Sequence, residues 1–228
     1  MISGLLITFE GPDGSGKTTQ IHRLGVVLQQ AGHAVLQTRE PGGTAIGDQI
    51  RRVLHDTANT AMLAATEILL YSASRAQLVG QVIRPALAQG RIVLCDRYAE
   101  STLAYQGYGR RLDLEVLRAI TAFATGGLRP DLIVYLDIPV EEGLRRKHQA
   151  HEREDAEWNR LDREAVDFHR RVGQGYRRLA AAEPERWLIV DARAPVESVH
   201  QEIARAVFAR LQSWINHAHI SAHAPEGG

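Results

Sequence analysis

Gly11-Pro-Asp-Gly-Ser-Gly-Lys-Thr18 fits Gly-x-x-x-x-Gly-Lys-[Ser/Thr], the phosphate-binding P-loop, and its flanks decide the fold. Leu5-Leu-Ile-Thr-Phe9 before it reads as a buried strand, and Thr18 to Ala31 after it reads as a helix. Glycines let the loop curl so that several N–H groups face one anion, and the helix N-terminus adds partial positive charge. Lysine contributes a compact point charge that follows a β- or γ-phosphate better than the rigid arginine fork does. Of the 27 lysines and arginines, all but Lys17 and Lys147 are arginine. A chance match to the fixed positions is therefore expected in roughly one such chain per thousand. The pattern predicts nucleotide binding by Gly11, Pro12, Asp13, Gly14, Ser15, Gly16, Lys17, Thr18 and Thr19, with the Thr18 hydroxyl on a magnesium ion.

Outward from the loop, four more apolar runs alternate with helical patterns: Ala34–Thr38, Arg91–Cys95, Leu132–Leu136 and Trp187–Val190. Near-continuous apolar strands separated by helices imply a parallel five-stranded sheet covered on both faces. Helices are expected near 17–31, 44–56, 61–79, 80–89, 113–125, 140–150, 161–182 and 195–214. Gly32 and Gly90 fall between a helix and a strand, where a left-handed cap is needed. Ligands gather at the carboxyl ends of such strands. There the sequence places the P-loop, Arg39-Glu-Pro-Gly-Gly-Thr44, Asp96-Arg-Tyr98, Asp137-Ile-Pro139 and Asp191-Ala192. Asp96, directly after a strand, is placed to reach the magnesium, directly or through water, and Arg97 to bridge two bound phosphates.

Length and charge narrow the remaining classes. A chain of 228 residues suits one well-buried α/β domain, here 1–215, with a flexible tail at 216–228. The 27 basic residues balance 27 acidic ones, which argues against a general electrostatic grip on nucleic acid. Cys95 is alone, so there is no disulfide framework or cysteine-clustered metal site, and it reads as a core residue. No signal peptide or membrane-length apolar run is seen, which makes cytoplasmic the expected location.

Several segments, in order and at consistent spacing, resemble thymidylate kinase over residues 4 to 212. They are Phe9-Glu-Gly-Pro-Asp13, Arg39-Glu-Pro-Gly-Gly-Thr44, Tyr71-Ser-Ala-Ser-Arg75, Asp96-Arg-Tyr98 with Ser101-Thr102, Ala104-Tyr-Gln-Gly107, Leu161–His169 and Gly175-Tyr176. The resemblance implies a three-layer fold like that of P-loop nucleoside-monophosphate kinases, Mg2+ with ATP as phosphoryl donor, dTMP as acceptor, and a homodimer. It places Asp13 at the sugar 3′-hydroxyl, Arg39 and Pro41 along the acceptor site, and Arg97 on the acceptor phosphate. Tyr71 would stack on the base, Arg75 would donate to its O4, Thr102 would approach it, Tyr105 would favour deoxyribose, and Gln106 would complete the site.

The resemblance is to the type whose charge-stabilising arginines come from a lid, here about 145–160, because Gly14-Ser15 carries no arginine. Arg145, Arg146, Lys147, Arg153 and Arg160 lie there, and Arg146 and Arg153 are the first choices, joining Lys17, Asp13 and Arg97 as catalytic. The lid departs from the usual pattern in length and acidity, and Asn159 stands where an Asp is common. The resembling family also implies a cis Glu40–Pro41 peptide. Another P-loop nucleoside or nucleotide kinase remains the alternative enzyme. A guanine-nucleotide switch would need Asn-Lys-x-Asp, which the sequence lacks. A partner-binding protein merely stabilised by nucleotide would not need so many site residues together.

Overall fold

The computed structural model describes residues 4–155 and 157–222, with side chains to residue 214. Five strands form one parallel sheet: β1 Leu5–Glu10, β2 Val35–Arg39, β3 Ile92–Asp96, β4 Leu132–Asp137 and β5 Trp187–Asp191, in the order β2-β3-β1-β4-β5. The helices are α1 Lys17–Gln30, α2 Ala45–His55, α3 Ala64–Leu78, α4 Arg84–Ala88, α5 Ala99–Thr102, α6 Leu114–Thr125, α7 Val140–Glu152, α8 Val166–Ala182 and α9 Val196–Ala222. All five expected strands are present, each shifted by at most a residue or two at its ends.

The period-2 alternation of strands explains the three layers. On β1, Leu5, Ile7 and Phe9 face a core built with Ile21, Leu24 and Leu28 of α1 and Ile203, Val207 and Leu211 of α9. Leu6 faces the other way, joining Val93 and Cys95 of β3 against Leu78, Val79 and Ile83. A third cluster packs Phe168, Val172 and Tyr176 of α8 onto Leu103, Ala104 and Tyr105. Gly32 (φ 87°) and Gly90 (φ 73°) adopt the left-handed caps expected before β2 and β3.

Four differences from the sequence reading have local causes. The helices expected at 61–79 and 80–89 run on through a widened π turn at Val79–Ile83, so Pro85 falls at the start of a new helical stretch, where its missing N–H costs nothing. An unexpected helix, α5, continues as a second π stretch at Leu103–Gly109. The helix expected at 161–182 begins at Val166. Before it, Asn159 and Asp162 close a capping box on a 3₁₀ turn at Arg160–Arg163. α9 continues beyond 214 to Ala222, through part of the expected tail, while residues 223–228 lie outside the described residues.

Parallel pairing sets the site. Phe9 registers with Asp96, and Arg97 N–H donates to Phe9 O at 2.9 Å. The end of β3 is thereby held beside the P-loop that leaves β1.

Candidate active site

The P-loop is closed from within. Lys17 Nζ donates to Gly11 O (3.0 Å), Pro12 O (2.9 Å) and Ser15 Oγ (3.4 Å). Burial, reinforced by the Arg97 charge, lowers its pKa to about 8 against the pull of Asp96, Asp13 and Glu10. A phosphate needs the ammonium form, which the free protein holds below about pH 8 and loses above it. Affinity for a phosphate-bearing nucleotide is therefore expected to fall as pH rises through about 8, by as much as about tenfold per unit. Titration calorimetry between pH 7 and 9.5 checks this, and a flat profile would contradict it.

Thr18 Oγ1 donates to Asp96 Oδ2 at 2.8 Å. This hydroxyl–carboxylate pair beside a phosphate loop offers hard oxygen donors that fit Mg2+. Among the described residues no group of three or more His, Cys, Asp or Glu could hold a metal. That is compatible with Mg2+, which takes one or two protein ligands plus phosphates and water.

Arg97 is the hub on the opposite wall. Its backbone is left-handed (φ 67°), an uncommon conformation for a residue with a side chain. Its guanidinium donates to Asp13 (3.0 Å), Tyr105 Oη (3.1 Å), Tyr176 Oη (3.2 Å) and Ser101 Oγ (3.3 Å), and lies 5.0 Å above the Tyr105 ring. Burial alone would raise the Asp13 carboxyl, but Arg97, Lys17 and Lys147 together hold it well below the usual range. Tyr105 Oη also donates to Asp13 at 3.1 Å. Beneath the hub, Glu10 accepts from Tyr98 N–H, Ser101 Oγ and Tyr176 Oη. Burial, with the nearby Glu100 charge, pushes Glu10 up to about 7.

The third wall carries Arg75, fully buried. Its Nε donates to Glu40 Oε2 (2.8 Å), Nη1 to Thr102 Oγ1 (2.9 Å) and Nη2 to Tyr98 O (2.9 Å). The Glu40–Pro41 peptide is cis, as expected. Arg39 is more exposed and lies 3.6 Å from Asp48. These walls enclose a cleft of about 1280 Å³, lined by Asp13, Gly14, Gly16, Lys17, Thr18 and Thr19 at one end. Arg39, Pro41, Tyr71, Arg75, Thr102, Tyr105 and Gln106 line the other, with Asp96 and Arg97 between. That space accommodates two ligands end to end. Gly11, Pro12 and Ser15 lie behind the loop as acceptors for Lys17.

The thymidylate kinase family model matches residues 9–203. The chain belongs to the thymidylate kinase family. Thymidylate kinase of Roseiflexus castenholzii is 54% identical over 217 residues, covering 92% of this chain and 95% of that protein. That of Deinococcus radiodurans is 52% identical over 210 residues, covering 92% and 99%. The crystal structure of thymidylate kinase from Ehrlichia chaffeensis superposes with a TM-score of 0.71 at 29% identity, covering 90% of this chain and 99% of that one.

Within this thymidylate kinase fold the lid candidates separate. Arg146 lines the cleft, with Nε on Glu142 (2.8 Å) and Nη1 on Ala192 O (3.0 Å). Arg153 stands exposed where α7 ends, away from the cleft lining, so the structure does not bring it to the other site residues. Arg160 is buried and committed to Glu67 and Leu54 O. The acids ending β4 and β5 pair locally, Asp137 with Arg177 and Asp191 with Arg193.

The sequence reading missed Glu67, which also accepts from Gln106 (2.7 Å) and Arg110 (3.0 Å) and so fixes one of the cleft-lining residues. A signal existed, since Glu67 opens the apolar run Ile68-Leu-Leu-Tyr71 one turn before Tyr71. Arg51 was also missed. It lines the cleft and donates to Pro41 O (3.1 Å) and to Glu157 of the lid (3.0 Å).

Proposed function

We propose that this chain transfers the γ-phosphoryl group of ATP directly to the phosphate of dTMP, giving dTDP for dTTP synthesis. The observation that carries the reading is one shared cleft in which a P-loop faces a wall of Arg39, Arg75 and Arg97. The acceptor oxygen is already anionic, so no base has to remove a hydroxyl proton, and the site's task is to align two anions and neutralise charge. Lys17 and the P-loop amides hold the donor phosphates, Arg97 and Arg39 the acceptor phosphate. Thr18 and Asp96 would hold Mg2+, which supplies further neutralisation of phosphate charge when bound. Tyr71 stacks on the base, Arg75 and Thr102 read its edge with Gln106 behind them, and Pro41 shapes the acceptor wall. Tyr105, tied to Asp13 at 3.1 Å, leaves little room beside the sugar and favours deoxyribose. Turnover of dTMP, dUMP, dCMP and thymidine with ATP tests the reading; preference for thymidine, or no transfer to dTMP, would overturn it.

A homodimer in the cytoplasm completes the proposal. No helix among the described residues is long and apolar enough to cross a membrane, and the reaction draws on intracellular ATP. α3 packs between α2 and α6, and the three, with Leu63 (71% exposed) just before α3, leave Ile46, Val53, Leu69 (59%), Val116 and Phe123 (91%) uncovered. Ile68, beside Leu69 on α3, turns inward and is buried. So much exposed apolar surface on neighbouring helices suits a self-complementary twofold interface. Sedimentation is expected to show a dimer at micromolar concentration, and Leu69→Glu with Phe123→Glu is expected to give a folded monomer. A monomeric wild type would count against the dimer.

A further inference from the structure

Resting on the dTMP kinase reading, we propose that the lid cation meeting the moving phosphoryl group is Lys147 rather than an arginine. The root of the lid is pressed backbone to backbone against the P-loop. A Cβ on Gly14 would stand 2.1 Å from Gly143 O and 3.1 Å from Lys147 N, and a Cβ on Gly143 would stand 2.7 Å from Asp13 O. Such contact fixes the rotation of α7 about its axis. Lys147 is one helical turn beyond Gly143 and shares its inward face. Its side chain is 14% exposed and lines the cleft, and its field acts on Asp13 together with those of Arg97 and Lys17.

The arginines of the same segment are tied to other partners, including Arg146, which shares the cleft lining with Lys147. Arg145, 55% exposed, is paired with Glu142 and Gln149. Arg146 is anchored to Glu142 and to Ala192 O. Arg153 lies off the cleft and Arg160 is buried on Glu67. Among the described residues Lys147 is paired only loosely, with Asp162 Oδ2 at 3.8 Å, beyond hydrogen-bond distance. The other oxygen of that carboxylate, Oδ1, is buried with no hydrogen-bond partner among the described residues. An ammonium parked at that distance on a flexible stem exchanges readily onto a phosphate oxygen. Composition points the same way: in a chain whose other basic residues are all arginine, both lysines line this one cleft.

In the reaction the bond from the γ-phosphorus to the ATP bridging oxygen breaks, and ADP keeps the electron pair. A dTMP phosphate oxygen forms the new bond, so no proton is consumed. Lys147 donates N–H to the equatorial oxygens while their charge is most exposed.

Lys147→Met, Lys147→Gln and Lys147→Arg test this in the full chain, with the exposed Arg145→Ala as control. The Met and Gln variants are expected to lose roughly a hundredfold in kcat and to move KM for dTMP by less than about threefold. Their affinity for ADP, aluminium fluoride and dTMP together is expected to fall by a similar hundredfold, while affinity for dTMP alone holds. Lys147→Arg is expected to recover part of the rate, and Arg145→Ala to match wild type. Wild-type kcat in folded Lys147→Met or Lys147→Gln would overturn the inference, as would a loss confined to KM. A wild-type chain inactive on dTMP would instead overturn the functional reading, and this inference with it.

Discussion

Lys17→Ala is expected to slow phosphoryl transfer by roughly a thousandfold or more while the protein remains folded. Lys17 serves the loop and its ligand rather than the core: its three contacts are to Gly11 O, Pro12 O and Ser15 Oγ, all within the P-loop. Lys17 lines the open cleft, so solvent can reach the acceptors that its removal leaves. Within the P-loop nothing replaces its charge on the donor phosphates, because Gly14-Ser15 carries no arginine. Single-turnover kinetics with saturating ATP and dTMP, alongside circular dichroism, give the measurement. Near-normal turnover in a folded variant would refute the role of this lysine.

Glu67→Ala is expected to produce the largest loss of stability, about 3–5 kcal/mol. The Glu67 carboxylate is buried and accepts from Gln106, Arg110 and Arg160, and Arg160 is itself buried. Truncation strands a guanidinium where water cannot replace the lost anion. It also cuts a tie among α3, the π stretch at Leu103–Gly109 and the turn that follows the lid. For a chain of this size the melting temperature is expected to fall by roughly 6–20 °C. Urea unfolding with an unchanged slope and a lower midpoint is the check; a shift below about 1 kcal/mol would show the network to be dispensable. Burial works to raise the Glu67 carboxyl, but the Arg110, Gln106 and Arg160 hydrogen bonds prevail and hold it below its ordinary value. The network's contribution is therefore complete above the ordinary carboxylate pKa and is lost as pH falls through the depressed one.

These two residues mark where the sequence was legible and where it was not. Lys17, Thr18, Asp96 and Arg97 could be read because a strand followed at once by loop chemistry is a local pattern, and parallel pairing brings neighbouring strand ends together. For Glu67 the sequence offered only an acid one turn before Tyr71, and its role was not legible because its partners Gln106 and Arg160 lie 39 and 93 residues away and only the fold joins them. The helix from Ala99 escaped notice because a π stretch breaks the 3.6-residue period on which helix reading depends. Arg153 was favoured by its place in a charged segment, but charge spacing does not say which way a side chain faces once α7 has ended. Ile68 and Leu69 read alike in the sequence, yet neighbours on a helix point about 100° apart, and Ile68 is core while Leu69 is exposed.

Cys95 lies on β3, which pairs with β1 on one side and β2 on the other, and it is the chain's sole thiol. It is fully buried, and its Sγ–H donates to Arg97 O at 3.1 Å, two residues from the hub of the cleft. An alkylating reagent reaches this sulfur only when the middle of the sheet comes apart, so the reaction rate is a clock that ticks once per opening. Nucleotides that clamp the P-loop against Asp96 and Arg97 slow that clock by mass action. The protein thus carries its own occupancy reporter, readable from a single unlabelled sulfur without a fluorophore or a coupled assay.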